Sequence, residues 1–268
     1  MSDGFGSKLR AGDFVITAEI SPPLSSDPED LLEKAMPLGG LANAVNITDG
    51  ASARVHLSAL AAAAILVREG IEPVFDLDSR KLIETAVGIR DRHELPSGRR
   101  VAGDADFFIG VADTPLDPAP SWTPVSLRNK IAAGAQFAQT QFCMDGAITR
   151  RYMNRLTEEG ITERLFVLIG IAPLPSVRTA VWMREHLPGS IIPDAVIDRL
   201  ARAGDPKAEG KRICIELLQE LTQIPDVSGA HIMAPRNHSA IAEVIAEARS
   251  AGISSVRTQS TGGAEACA

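Results

Sequence analysis

Aromatic side chains are scarce, at 4% of 268 residues. That leaves too few flat rings for a nucleic-acid surface built on base stacking. Cysteine is scarce as well. Cys143, Cys214 and Cys267 are far apart, odd in number and contain no C-x-x-C pair. Neither a disulfide framework nor a cysteine zinc site is expected. Positive charge is in deficit, with 27 Lys and Arg against 34 Asp and Glu, for a net charge of −7. An acidic chain repels phosphate backbones and anionic bilayers, so no nucleic-acid or membrane partner is expected. The apolar run "LSALAAAAILV" at 57–67 is too short to span a bilayer. The N-terminus "MSDGFGSKLRAGDF" has no apolar core of a leader peptide, and a cytoplasmic location is the expectation. Local signatures are missing too. No G-x-G-x-x-G follows the first strand and no G-x-x-x-x-G-K-[ST] occurs, which weakens both common nucleotide folds. The five histidines show no metal spacing, and neither H-x-x-x-H nor G-x-S-x-G is present. No metal is expected.

What is present is an alternation of strands and helices. "DFVITAEI" (13–20) is a β-rich run stopped by Pro22–Pro23, which cannot continue a ladder. Asp27 then caps a helix that has Pro28 at its first position. "NAVNIT" (43–48) is a second strand, and an alanine-rich helix from about Ser52 ends at Gly70. An odd strand near 71–77 contains Pro73 and runs into Asp76 and Asp78, and a helix over about 79–93 follows. Further strands are read at 106–112, 136–142, 164–172 and 229–234. Thr123–Pro124 opens a helix that ends at Gly134, Asp205–Pro206 begins one that runs through Leu221 with Cys214 on its apolar stripe, and others are read at about 146–158, 176–186, 193–203 and 238–251.

Strict β–α alternation with apolar strands implies a parallel sheet. The fold class is α/β, and a TIM-type (β/α)8 barrel is the expected form. Only seven strands are read from the sequence, whereas a closed barrel of this class has eight. One barrel domain over 1–254 is expected, with 255–268 as a small, polar, disordered tail.

In such barrels the chemistry sits at the C-terminal ends of the strands. The polar residues at those ends are Glu19, Thr48, Asp113, Gln141 and His231. Glu19 follows an apolar run and precedes a Pro-Pro stop. A partly buried carboxylate there has its pKa raised by desolvation, which suits a general acid. The alternative is a surface or helix-capping glutamate. Gln141 offers a donor and an acceptor for reading a heterocycle edge; the alternative is a buried amide satisfied by backbone. His231 on an inward strand reads more readily as a satisfied core residue than as a ligand.

These segments together resemble the methylenetetrahydrofolate reductase family. "AEISPP" is similar to its first-strand E-x-x-P-P motif, "VNITDG" to its V-T-x-G segment, and "FFIGVADTPLDP" to its fifth strand. "LRNKIAAGAQFAQTQFCMD" resembles L-x-x-K-x-x-A-G-A-x-x-x-x-T-Q-x-x-F-D, with Met144 in place of the phenylalanine. "LIGIAPL", "IPDAVIDRL" and "AHIMAPRN" resemble later segments. The resemblance implies reduction of 5,10-methylenetetrahydrofolate to 5-methyltetrahydrofolate by NADH or NADPH, with hydride passing through FAD. It makes Glu19 the catalytic acid and Gln141 the reader of the folate pterin. Thr48 and Lys130 become flavin contacts, Asp113 replaces an aromatic near the flavin, and Leu200 replaces a phenylalanine that stacks on folate or nicotinamide.

The resemblance also locates the missing strand. "REGIEP" matches the start of the family's third strand, and "VFDLDSRKL" matches the segment before the helix preceding its fifth. The chain therefore reads as fused at Pro73–Val74, without the third-to-fourth-strand segment and its flavin contacts. Two other readings remain: direct hydride transfer from NADH without flavin, and a non-catalytic folate-binding or regulatory barrel. A sheet left open at an interior strand exposes its edges, so a homo-oligomer that covers them is expected.

Overall fold

The computed structural model describes residues 4–25, 27–48, 57–74, 80–103, 106, 108–234 and 237–253. Its strands are β1 (Val15–Ile20), β2 (Ala44–Ile47), β3 (Pro73–Val74), β4 (Gly110–Asp113), β5 (Phe137–Phe142), β6 (Phe166–Ile171) and β7 (Val227–Ile232). They form one seven-stranded sheet in the order β3-β2-β1-β7-β6-β5-β4, and every pairing is parallel. In chain order this is a barrel sequence opened between β3 and β4. The sheet is a curled half-barrel with helices outside it, an incomplete TIM-type barrel.

The curl follows from one contact. Thr17 on β1 and Gln139 on β5 meet at 2.8 Å, although β7 and β6 lie between their strands. In a flat sheet three strand spacings would separate them by roughly 14 Å. The sheet must therefore bend round until the two side chains face each other across its interior.

Local signals set most helices. α2 (Pro28–Ala35), α6 (Gly146–Glu158) and α9 (Pro206–Thr222) each begin at an aspartate, Asp27, Asp145 or Asp205, whose carboxylate accepts a first-turn N–H. α5 (Val125–Ala133) ends at Gly134 in the left-handed conformation, with φ of 116°. α3 (Ala59–Arg68), α4 (Arg80–Arg92), α7 (Val177–His186), α8 (Asp194–Arg202) and α10 (His238–Ser250) complete the connections. Among the described residues no helix is long and apolar enough to cross a membrane.

Strand parity divides the core in two. Ile16, Ala18, Ile20, Val45, Ile47, Val167, Ile169, Ala230 and Ile232 face the helices in the main core. Val15, Ala44, Val74, Phe137 and Leu168, near the starts of their strands, form a second cluster with Phe5 and Leu9. These two belong to α1 (Phe5–Arg10), a helix the sequence reading did not anticipate. Phe5 meets the Phe137 ring edge-on and Phe108 stacks on Phe137, so an apolar plug closes the N-terminal end of the strands. The polar residues are left to the other end.

Two expectations are revised. The strand expected over 106–112 starts only at Gly110. It pairs with β5 alone, and Phe108 instead joins the plug. The strand expected near 71–77 is described over Pro73–Val74, an edge pairing with β2. Pro73 lacks an N–H and is tolerated at such an edge. Asp76 and Asp78 lie outside the described residues, as do Ser52–His56 and the tail at 254–268.

Candidate active site

The inward parity of β1 carries Val15, Thr17 and Glu19 in turn, from apolar plug to polar mouth. Register then places partners beside them. Glu19 is aligned with Asn46 on β2, and Thr17 with His231 on β7. The Asn46 amide donates to Glu19 Oε2 at 3.3 Å. His231 Nε2 lies 3.5 Å from the same oxygen. Two side-chain nitrogens thus converge on one carboxylate oxygen.

The exposure of the pair is graded. The Glu19 side chain is 25% exposed and His231 only 2%. Glu19 is the group that meets solvent, and His231 sits beneath it. Below them Gln139 Nε2 donates to Thr17 Oγ1 at 2.8 Å and lies 3.1 Å from His231 Nδ1. Thr17 Oγ1 is 2.9 Å from the same ring nitrogen. Gln139 Oε1 is buried and has no hydrogen-bond partner among the described residues.

On the other side of β1, His238 at the start of α10 contacts the Glu19 main chain. Burial pushes the His238 imidazole below its ordinary value, helped by the Lys34 ammonium. Lys34 itself reaches the Ser21 carbonyl at 3.3 Å.

Gln141 is half-buried near the C-terminal end of β5, where the ladder with β6 shifts register. Its Oε1 accepts from the Phe142 N–H at 3.0 Å. The acceptor side of this amide is therefore occupied, and the NH2 remains for a ligand. Thr48 follows β2, with its hydroxyl donating to Ser21 at 3.2 Å; its N–H joins the Ile20 carbonyl at 3.2 Å. Thr48 and Glu19 thus share the β1–β2 end of the sheet.

The remaining sequence-predicted residues are not gathered there. The Asp113 carboxylate accepts from the Tyr152 hydroxyl of α6, on the helix side of β4. Its pKa is raised, chiefly by burial, against the opposing pull of that bond, and Tyr152 is raised too. Lys130 on α5 donates to the Ala112 carbonyl at 2.6 Å. Leu200 on α8 is 0% exposed within the main core, so it offers no face to a ligand; its helix packs against α7 and α9. Among the described residues no cluster of His, Cys, Asp and Glu could hold a metal ion.

Sequence reasoning passed over Thr17 and Asn46, set Gln139 on one face with Gln141 without giving it a role, and read His231 as a satisfied core residue, which it is at 2% exposure with Thr17 beside it. A signal was available. All four lie on the same inward parity as Glu19 or two residues below a mouth residue, on strands whose other face is largely apolar.

No curated protein matches the chain. An uncharacterized protein from Clostridium thermocellum that binds two copies of 5-methyl-5,6,7,8-tetrahydrofolic acid has a similar fold, with a TM-score of 0.61 at 15% identity. The match covers 92% of this chain and 99% of that one. The tryptophan synthase complex of Pyrococcus furiosus (TM-score 0.37, 11% identity, 75% and 96% covered) and the UMP synthase of Leishmania donovani (0.34, 13%, 82% and 60%) are more distant. The model of the methylenetetrahydrofolate reductase family matches residues 100–249. That span holds Asp113, Lys130, Gln141, Leu200 and His231, and lies beyond Glu19, Thr48 and the Pro73–Val74 junction. More than half of the chain is matched, and the protein belongs to the methylenetetrahydrofolate reductase family.

Proposed function

We propose that this protein reduces 5,10-methylenetetrahydrofolate to 5-methyltetrahydrofolate with NADH or NADPH as hydride donor. The observation that carries this reading is Glu19, a solvent-reached carboxylate on the inward face of β1, held by Asn46 and backed by His231. Protonated Glu19 gives its proton to a nitrogen of the folate's five-membered ring. The bond from that nitrogen to the bridging carbon breaks, leaving an iminium on the other nitrogen. Hydride from the nicotinamide adds to the iminium carbon and makes the methyl group. Gln141 presents its NH2 to an acceptor on the pterin edge.

We infer that the described residues favour a route without flavin, the usual hydride carrier of the family. Asp113 is engaged by Tyr152 and Lys130 by a main-chain carbonyl. Thr48 and Lys130 stand towards opposite edges of the opened sheet. A carboxylate next to the lysine also disfavours a phosphate there. These placements favour direct transfer from the nicotinamide to the folate.

The test is NADH or NADPH oxidation coupled to 5-methyltetrahydrofolate formation, with and without added FAD. Turnover without flavin, and no flavin absorbance in the purified protein, is the expected result. A strict requirement for FAD would overturn direct transfer, and no turnover in either condition would overturn the reductase reading in favour of a folate-binding barrel. Glu19→Gln is expected to lower folate reduction by about 10²–10⁴-fold, the usual worth of a positioned acid, with folate binding retained.

A further inference from the structure

We propose that Thr140 is a positioning residue for Gln141: its hydroxyl holds a bulge in β5 that aims the Gln141 NH2 at the folate. The proposal rests on the folate reading above and deepens it, because it names what fixes the group that reads the pterin.

The bulge is seen in the register. Gln139 is aligned with Leu168 and Phe142 with Gly170. Three steps along β5 therefore meet two along β6, and β5 carries one extra residue between these pairs. Bulges are rare in parallel ladders and recur beside active sites, where they re-aim a side chain. Here the extra length falls on Thr140 and Gln141, near the C-terminal end of β5, the end at which a barrel builds its site.

An extra residue interrupts the ladder, and a buried N–H left without an acceptor is costly. Thr140 closes the interruption with its side chain. The Gly170 N–H donates to Thr140 Oγ1 at 2.8 Å, and the Thr140 hydroxyl donates to the Gln141 carbonyl at 2.9 Å. One hydroxyl, able to accept and donate at once, thus ties β6 to the main chain of Gln141. Thr140 is 2% exposed, so the tie is shielded from water. Gly170 is the matching half. A Cβ there would collide with the carbonyl oxygens of both Thr140 and Gln141, so only glycine lets the bulged chain approach this closely.

The Gln141 side chain is fixed by a separate bond. The Phe142 N–H can only donate, so the amide atom it meets at 3.0 Å is Oε1. That leaves Nε2, a donor, for an acceptor on the pterin edge. With its main chain held by Thr140 and its amide oxygen by Phe142, Gln141 is aimed before the ligand arrives, and binding need not order it.

Binding of 5-methyltetrahydrofolate, followed by titration calorimetry, tests this without turnover. Thr140→Val removes the hydroxyl and keeps the branched shape. Kd should rise about tenfold, the worth of one hydrogen bond, and Thr140→Ser, which keeps the hydroxyl, should restore most of the affinity. In a Gln141→Ala background, Thr140→Val should weaken binding no further, because the amide it aims is gone. In turnover the loss should appear in KM with kcat held, as for a contact made equally in ground and transition states. An unchanged Kd in Thr140→Val would overturn the proposal. So would the same loss with and without Gln141, which would make Thr140 merely structural. Should Thr140→Val not fold, a crystal structure of the wild type with 5-methyltetrahydrofolate decides. Gln141 Nε2 on a pterin acceptor, with the Thr140 tie intact, is expected there; a Gln141 turned from the ligand or a bulge that has closed would overturn the proposal. If the wild type binds no 5-methyltetrahydrofolate, the folate reading falls and the proposal with it.

Discussion

Leu200→Ala separates a ligand contact from a core residue. By family resemblance Leu200 faces folate or nicotinamide; in the fold it is 0% exposed inside the main core. The substitution removes three carbons. Transfer of those groups from water is worth about 2.4 kcal/mol at ~0.8 kcal/mol each, and the unfilled space adds to it. A fully buried leucine truncated in this way costs roughly 3–4 kcal/mol in all. For a chain of 268 residues, the unfolding entropy converts that to a fall in Tm of about 5–7 °C. Differential scanning calorimetry and urea titration measure it, and steady-state kinetics well below both transitions measures KM for folate. The expected outcome is the full Tm loss with KM unchanged. A loss under about 2 °C together with a tenfold rise in KM would place Leu200 against ligand and refute the core assignment.

Other outcomes follow from packing and charge. In Gly170→Ala the new Cβ would stand 2.2 Å from the Thr140 carbonyl oxygen and 2.7 Å from that of Gln141. Main-chain atoms cannot swing aside, so about 1–3 kcal/mol or more of stability is lost; because the strain falls on Gln141, KM for folate should rise in whatever folds. His238 is held below its ordinary value of 6.5 by burial and by Lys34. Its depressed folded pKa means that the neutral form is favoured in the fold. The stability it contributes is complete above pH 6.5 and is lost as pH falls through the folded value. His238→Gln should flatten that part of a Tm-against-pH curve, and an unchanged slope below pH 6.5 would refute the assignment. With the Glu19 variant above, these cover the mouth and the shell around it.

The β–α alternation, the aspartate caps at Asp27, Asp145 and Asp205 and the Gly134 stop are legible in sequence because each depends on residues a few positions apart. The count of seven strands is legible for the same reason, whereas the place of the opening, between β3 and β4, was read from family resemblance on either side of Pro73–Val74. Glu19 and Gln141 stood out as polar residues at strand ends. The environment of Glu19 did not, since Thr17 meets His231 across 214 positions and Gln139 across 122. Parity along a strand determines which face a residue takes, but only the curl of the sheet determines which strands share an interior. Parity left Asp113 on the helix side with Tyr152, and the lower end is closed by Phe5 and Leu9 from a helix too short to have a clear pattern. The sequence by itself determined most of the elements and the family; the tertiary structure decided what surrounds Glu19, because sheet order sets β2 and β7 beside β1 and only bending brings Gln139 on β5 to Thr17.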